Sequence, residues 1–174
     1  MNTLQPLSAV SPDAIETLLD LAFGADRLSR TAYAVRAGTE PVGDLSFVTL
    51  ADGSLAGSLQ SWPIRLETPY GQHRPLVMVG PVAVHPGHQN QGIGKHMTRV
   101  VTQRLDLAGR SAMMIGDPDY YEPFGFRPGP AGGWTLPGPV EPHRILLRIA
   151  GSDDWPAEGR LGPDLLRSGE GLPN

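Results

Sequence analysis

The chain contains no cysteine, and this absence excludes several classes of chemistry. Disulfide bonds, cysteine-rich metal sites and any mechanism that passes through a cysteine thioester all require a thiol. Charged residues are also scarce, at 18% of the chain, and aromatic residues make up only 6%. Lysine and arginine total 14 against 18 acidic residues, which gives a net charge of −4 without any basic run. No nucleic-acid partner is therefore expected.

Long apolar runs are absent as well. No stretch approaches the roughly 18 consecutive apolar residues that a membrane-spanning helix needs, so no membrane partner is expected. Residues 1–10 lack the basic and apolar segments of a signal peptide, and we expect a soluble, cytoplasmic protein. Hydrophobic residues make up 40% of the chain, which is too many for intrinsic disorder. The length of 174 residues fits one domain, residues 1–174.

Glycine and proline are abundant, with 22 and 18 residues, and just over half of them lie in the last third of the chain. We predict a Gly/Pro-rich C-terminal portion from about residue 127, with an ordered loop over 128–142. The last clear strand is predicted at 145–149. Leucines at 161, 165 and 166 are expected to anchor the remainder, and the end is expected to fray from about residue 168.

Caps, turn residues and hydrophobic spacing predict the elements of the first two thirds. These are a helix from Ser11 to Gly24, a short helix over 27–36, a hairpin of strands 45–50 and 54–60, a strand at 76–84, a helix at 93–108 and a strand at 112–115. This order predicts an α+β (α/β-type) fold around a mixed sheet.

A polar loop, residues 85–94, joins the strand at 76–84 to the following helix. Backbone N–H groups converge at such a helix start, and glycines let a phosphate approach closely. The dinucleotide fingerprint fails because Met97 occupies a position that needs a small residue. The phosphate-loop pattern fails because no Gly-Lys-Ser/Thr is present. A plain strand-to-helix turn is the remaining alternative.

Gln89, Gly92 and Gly94 form the pattern Q-x-x-G-x-G directly after a strand, and this arrangement resembles the acyl-CoA pyrophosphate loop of the GNAT superfamily of N-acyltransferases. The hairpin, the strand, the loop and helix, and the later segment 120–126 follow in the family's order. Residues 116–118 and 136–139 resemble one poorly characterised bacterial subgroup. The resemblance implies a mostly antiparallel central sheet that is flanked by helices and splayed at the cofactor cleft.

The resemblance also implies acetyl-CoA as co-substrate. The residues assigned to it are Val82, Ala83, Val84, Gln89, Asn90, Gln91, Gly92, Ile93, Gly94 and Lys95. Pro81 supports the splayed sheet independently, because proline cannot donate to a sheet ladder and pairing should fail there. The alternative is that the strand begins only at Val82. Free amides at 82–84 would pair with pantetheine, and one of them would polarise the thioester carbonyl.

Tyr121 is the predicted catalytic residue. It matches the tyrosine of the family's Y-x-x-x-G-F pattern, here with Gly125 and Phe126, whose hydroxyl is thought to protonate the departing thiolate. A phenol with a pKa of ~10 is close enough to a thiol near ~8.5 to share a proton with it. The alternative is simple packing, which is the expectation for Tyr120, Phe124 and Phe126.

No general base is assigned, because the strand at 76–84 carries no carboxylate. The nearest titratable candidates are Glu67, Asp117, Asp119, His85 and Glu122, and a water held by the backbone is an equal alternative. His85, His88 and His96 have no coherent ligand set around them, so no metal is expected. Met114 stands where many relatives carry an asparagine, which leaves one pantetheine contact in doubt.

These features predict an N-acetyltransferase that moves an acetyl group directly to a primary amine within a ternary complex. The expected acceptor is a small molecule or a peptide, and the net charge of −4 is mildly compatible with a cationic one. A homodimer is a candidate assembly. The alternative function is a non-catalytic acyl-CoA-binding or regulatory protein on the same fold.

Overall fold

The structure is a computed structural model that describes residues 1–129, 132–152 and 154–166. The strands are β1 (Asn2–Pro6), β2 (Phe47–Ala51), β3 (Ser54–Glu67), β4 (His73–Val84), β5 (Ala112–Ile115), β6 (Gly133–Thr135), β7 (Ile145–Arg148) and β8 (Glu158–Pro163). The α-helices are α1 (Pro12–Phe23), α2 (Thr31–Val35), α3 (Ile93–Ala108) and α4 (Pro118–Tyr121). Short 3-10 helices cover Leu7–Ala9, Arg27–Ser29, Gly43–Leu45, Pro86–His88, Glu122–Phe124 and Pro142–Arg144.

Within the described residues the strands form one mixed sheet in the order β1-β2-β3-β4-β5-β7. Strand β8 pairs with the far half of β3 and with β6. Strands β4 and β5 run parallel, as do β6 and β8, while the other described strand pairs are antiparallel. The predicted fold class, a mixed and mostly antiparallel sheet flanked by helices, is confirmed.

Helix α1 begins where its capping residues predict. The Ser11 hydroxyl accepts a hydrogen bond from the Ala14 amide at 3.2 Å, and a proline occupies the first turn. Its apolar face, Ile15, Leu18 and Leu19, is buried against Val48 of β2 and Ala83 of β4. This packing fixes α1 over one face of the sheet.

Alternate residues of β4 face opposite sides of the sheet. Val77 and Val79 pack in the cluster that contains the buried face of α3. Met78, between them, packs in a second cluster with Trp62 and with Val35 of α2. Helices α3 and α2 therefore cover opposite faces of the sheet.

The hairpin is confirmed, with Asp52 and Gly53 at positive φ in its turn. Strand β2 begins at Phe47, two residues later than predicted, whereas β3 continues past the predicted end at residue 60 to Glu67, where it pairs with β4 and β8. The predicted helix over 27–36 is wrong as a single element, since a 3-10 helix at Arg27–Ser29 and α2 share that stretch.

Three strands were not predicted. Strand β1 pairs with β2 along the sheet edge, β6 lies within the predicted loop at 128–142, and β8 follows the strand expected to be the last. Leu161 is buried as expected, but Leu165 and Leu166 are exposed. The end predicted to fray from about residue 168 lies outside the described residues. No helix among the described residues is long and apolar enough to cross a membrane.

Candidate active site

Strands β4 and β5 separate soon after they meet. Their pairing is confined to Val77 with Ala112 and Met78 with Met113, although β4 continues to Val84 and β5 to Ile115. We call this gap the sheet opening. It confirms the predicted splay of the sheet.

Pro81 lies at the sheet opening, inside a continuous strand. The register between β3 and β4 shifts here, since Leu59 pairs with Val82 whereas Ser61 pairs with Val79. The indole Nε1 of Trp62 donates to the Gly80 carbonyl at 2.8 Å and holds the irregular segment in place. Because β4 runs from His73 through this point, the alternative that the strand begins at Val82 is wrong.

The last residues of β4 present free backbone to the sheet opening. The His85 amide donates to Ala56 of β3 at 2.8 Å, and the amides of an antiparallel strand alternate in direction. Ala83 therefore turns its amide to β3, while Val82 and Val84 turn theirs away from β3. Val82 and Val84 line the cavity at the opening, whereas the Ala83 side chain is buried in the α1 cluster.

A cavity of about 1120 Å³ occupies the sheet opening, and we call it the main cavity. One wall is formed by the end of β4, the loop before α3 and the segment after β5. The other lining residues come from α1, α2, the segment between them and the loop between β6 and β7. The charged lining residues are Arg27, Arg30, Arg36 and Arg144, together with Asp117 and Glu141.

The loop before α3 turns sharply into the helix. Asn90 and Gly92 adopt positive φ, of 63° and 78°, and α3 begins at Ile93. The N–H groups of the first helical turn have no intrahelical acceptor, and this end of the helix carries partial positive charge. Gln89 and Gly94 line the main cavity, so the loop borders it.

The other loop residues assigned to acetyl-CoA lie outside the main cavity. Asn90, Gln91 and Gly92 are exposed in the loop, and Ile93 is buried in the core cluster with α3. Lys95 lines a second cavity of about 670 Å³. Tyr120 lines both cavities and therefore separates them.

Tyr121 lines the main cavity from the short helix α4. Its ring packs edge-on against Tyr120 and Phe126, with centroids 4.7 and 6.4 Å away. Burial, with smaller effects of Tyr120 and Asp117 and against an opposing effect of Arg144, raises the pKa of Tyr121 to about 12. The hydroxyl is therefore protonated across the physiological pH range. Among the described residues it has no hydrogen-bond partner, which leaves the proton available to a ligand.

Arg148 fixes the segment that follows Tyr121. Its Nε donates to the Phe124 carbonyl at 2.9 Å, and its two terminal nitrogens bind the Asp106 carboxylate at 2.6 and 3.0 Å. The hydrogen bond from Arg148 lowers the pKa of Asp106. This contact joins the Tyr121 segment to α3, and the sequence offered no signal for it, since the residues are far apart in the chain.

Of the five candidate bases, Asp117 alone lines the main cavity. Asp119 lines the second cavity, and Glu67 lies 3.8 Å from Arg160 at the far end of β3. His85 and Glu122 line neither cavity. Glu141 does line the main cavity but was not predicted. No group of three potential metal ligands is found among residues 1–129, 132–152 and 154–166.

Comparison with known families gives one match over most of the chain. A family model described as an acetyltransferase (GNAT) domain matches residues 5–129. No significant match is found among curated protein sequences.

Solved structures share the fold. A GNAT family N-acetyltransferase from Escherichia coli (YhbS), in complex with CoA, superposes with a TM-score of 0.71 at 19% identity, over 94% of this chain and 89% of its own. A GNAT family acetyltransferase from Brucella melitensis, in complex with acetyl-CoA, gives 0.63 at 24% identity, over 91% and 93%. At these identities the likeness shows a common fold.

Proposed function

This chain belongs to the GNAT family of acetyltransferases, and on that premise we propose that it transfers the acetyl group of acetyl-CoA directly to a primary amine. The observation that carries the proposal is the sheet opening, which has Tyr121 on its wall and the start of α3 beside it. Two relatives of the same fold bind CoA and acetyl-CoA, which supports the choice of co-substrate.

The residues at the opening fit acetyl-CoA. Val82 and Val84 offer the free edge of β4 to the amide groups of pantetheine. The first turn of α3 offers N–H donors and positive charge to a pyrophosphate. Gly94 lets Tyr120 pack close to the start of α3, because a Cβ at that position would lie only 3.3 Å from the Tyr120 hydroxyl. Acetyl-CoA supplies the activated acetyl group, and this chain supplies its alignment.

Two groups of the chain then act on the reacting atoms. An amide at the end of β4 donates to the thioester carbonyl and stabilises the negative charge that develops on its oxygen. The Tyr121 hydroxyl donates its proton to the departing sulfur. The acceptor amine loses a proton, and the cavity carboxylates able to receive it are Asp117 and Glu141. Since the chain has no cysteine, transfer proceeds without a cysteine-bound acetyl group.

The proposal is tested in two steps. Thermal shift with CoA, acetyl-CoA and NAD measures cofactor binding, and we expect stabilisation by the first two. A free-thiol assay with acetyl-CoA and a panel of amines then measures transfer, with the product identified by mass. Stabilisation by NAD but not by CoA would refute the cofactor assignment. CoA binding without thiol release for any amine would support the non-catalytic alternative.

A further inference from the structure

The lining of the main cavity is rich in arginine. Arg27, Arg30 and Arg36 come from the stretch around α2, and Arg144 comes from the loop before β7. Four arginines face two acidic residues in the cavity lining, although the whole chain has a net charge of −4. Because Glu16 and Asp20 offset the charge of Arg27, three arginines remain against two acidic residues in the lining.

Arg27 uses its donors in hydrogen bonds within the protein. It is 3% exposed, and its Nε binds Asp20 at 2.9 Å while one terminal nitrogen binds Glu16. The other terminal nitrogen donates to the Tyr33 hydroxyl at 2.8 Å. Burial opposes its charge, but the hydrogen bonds with Glu16, Tyr33 and Asp20 raise the pKa of Arg27 overall. Its effect is to fix the Tyr33 ring in the cavity wall.

Arg36 is held differently. Its guanidinium lies over two aromatic rings, 4.2 Å from the centroid of Tyr33 and 3.5 Å from that of Trp62. Among the described residues no carboxylate forms an ion pair with it. Burial lowers the pKa of Arg36, because the opposing effects of Tyr33 and Glu16 offset the loss of hydration only in part. Stacking fixes the plane of the guanidinium, and the donors that are not turned to Tyr33 are left for a ligand.

Arg36 is also placed near the reaction and away from the cofactor phosphates. Trp62, on which it stacks, donates to Gly80 at the sheet opening. Trp62 packs in the cluster of α2, whereas the start of α3 packs in the cluster on the other face of the sheet. The pyrophosphate expected at α3 would thus lie on the opposite face from Arg36.

We propose that the acceptor is an amine that also carries a carboxylate, which Arg36 binds on the α2 side of the sheet opening. A planar guanidinium matches a carboxylate with two parallel hydrogen bonds. Holding the acceptor by its carboxylate directs its amine toward the end of β4. This inference deepens the proposed function and rests on it for the identity of the reaction, but the binding preference can be measured without turnover.

The first test compares matched acceptors. Glycine and the L-α-amino acids with a primary amine, except cysteine because of its own thiol, are each assayed with their α-amides for thiol release at saturating acetyl-CoA. We expect the best amino acid to exceed its amide by about 10- to 100-fold in kcat/KM, the range for a charge-assisted bidentate contact. The comparison is conservative, because the carboxylate raises the pKa of the neighbouring amine and leaves less of it neutral. Equal rates, or faster amides, would overturn the inference.

The second test replaces Arg36. Arg36→Gln should reduce the acid-over-amide ratio to below about threefold, and Arg36→Lys should retain part of it. Arg104→Gln is the matched control, since Arg104 also lies over an aromatic ring, Phe47 at 5.0 Å, but does not line the main cavity. CoA affinity should be unchanged in all three variants. A full ratio in Arg36→Gln would contradict the role of Arg36, and if that variant does not fold, the wild-type ratio and Arg36→Lys decide.

A binding arm separates failure of this inference from failure of the proposed function. N-acetyl-L-amino acids and their N-acetyl amides are titrated calorimetrically into CoA-saturated protein. Preference for the acids without turnover would support an anion site and refute transfer, whereas turnover with no such preference would refute the anion site alone. Binding of neither class would overturn the inference. O-phosphoethanolamine is added as an acceptor, and a rate above every amino acid would overturn the carboxylate assignment.

Discussion

Replacement of Tyr121 by phenylalanine removes one hydroxyl from the main cavity and nothing else. The ring contacts with Tyr120 and Phe126 do not involve that oxygen. Because the hydroxyl has no hydrogen-bond partner among the described residues, its loss should change the free energy of unfolding by less than ~0.5 kcal/mol. The variant therefore tests chemistry with little effect on folding.

The effect on rate follows from the pKa. A phenol with a pKa of about 12 lies ~3.5 units above a thiol near ~8.5, a gap of ~5 kcal/mol against complete proton transfer in water. The same burial raises the pKa of a thiol in the cavity and narrows this gap. General acid catalysis raises rates by roughly 10²- to 10⁴-fold. The pKa difference that remains between the phenol and the thiol places the contribution of Tyr121 in the lower part of that range. We expect kcat to fall about 100- to 1000-fold in Tyr121→Phe.

The assay is thiol release, and the absence of cysteine means that the protein contributes no signal of its own. Tyr70→Phe is the matched control, since Tyr70 is 92% exposed in the turn between β3 and β4. CoA affinity should stay within about threefold of wild type in both variants. A kcat for Tyr121→Phe above about one third of wild type would refute the assignment of Tyr121 as proton donor.

Three further predictions follow from particular contacts. Because burial keeps Tyr121 protonated to about pH 12, kcat should show no alkaline decline below about pH 11, and a decline centred near pH 10 in a pH–rate profile would contradict this. Gly92→Ala places a side chain at a φ of 78° and should lower the free energy of unfolding by about 1 kcal/mol and weaken CoA binding. Urea titration and calorimetry measure these effects, and Gly43→Ala, at an unhindered position with negative φ, is the control. Arg148→Gln should lower the free energy of unfolding by about 1 kcal/mol and should also lower kcat, because it frees the Tyr121 segment from α3. An unchanged melting temperature and an unchanged kcat would show that Arg148 does not position this segment.

Local signals in the sequence predicted the elements that local chemistry determines. Ser11 and Pro12 predicted the start of α1, Asp52 and Gly53 predicted the hairpin turn, and Pro81 predicted the place where the sheet opens. Each rests on backbone geometry that one or two residues impose. The loop at residues 85–94 and the start of α3 were predicted from local signals of the same kind.

The missed strands depend on distant partners. Strand β1 is mostly exposed and lacks an alternating apolar pattern, so only its pairing with β2 makes it a strand. Strands β6 and β8 contain glycine and pair with each other, and β8 also pairs with β3. A glycine is needed at position 133, because a Cβ there would lie 2.2 Å from the Ala157 carbonyl oxygen. Such close approach is visible only after the chain has folded.

The arginines that line the main cavity could not be predicted as a group for the same reason. Arg36 and Arg144 are separated by most of the chain and converge only because α2 and the loop before β7 border one cavity. The net charge of −4 describes the whole chain and carries no information on which charged residues line that cavity. Sequence reasoning therefore gave candidate cofactor-binding residues and assigned no residue to the acceptor.

The most direct test of direct acetyl transfer is a two-substrate kinetic grid. Initial rates of thiol release are measured over a matrix of acetyl-CoA and amine concentrations, with the best acceptor from the amino acid panel. Direct transfer in a ternary complex predicts intersecting lines in double-reciprocal plots and one acetylated amine per thiol released. Parallel lines together with a stable acetylated protein, or no thiol release with any amine, would contradict it.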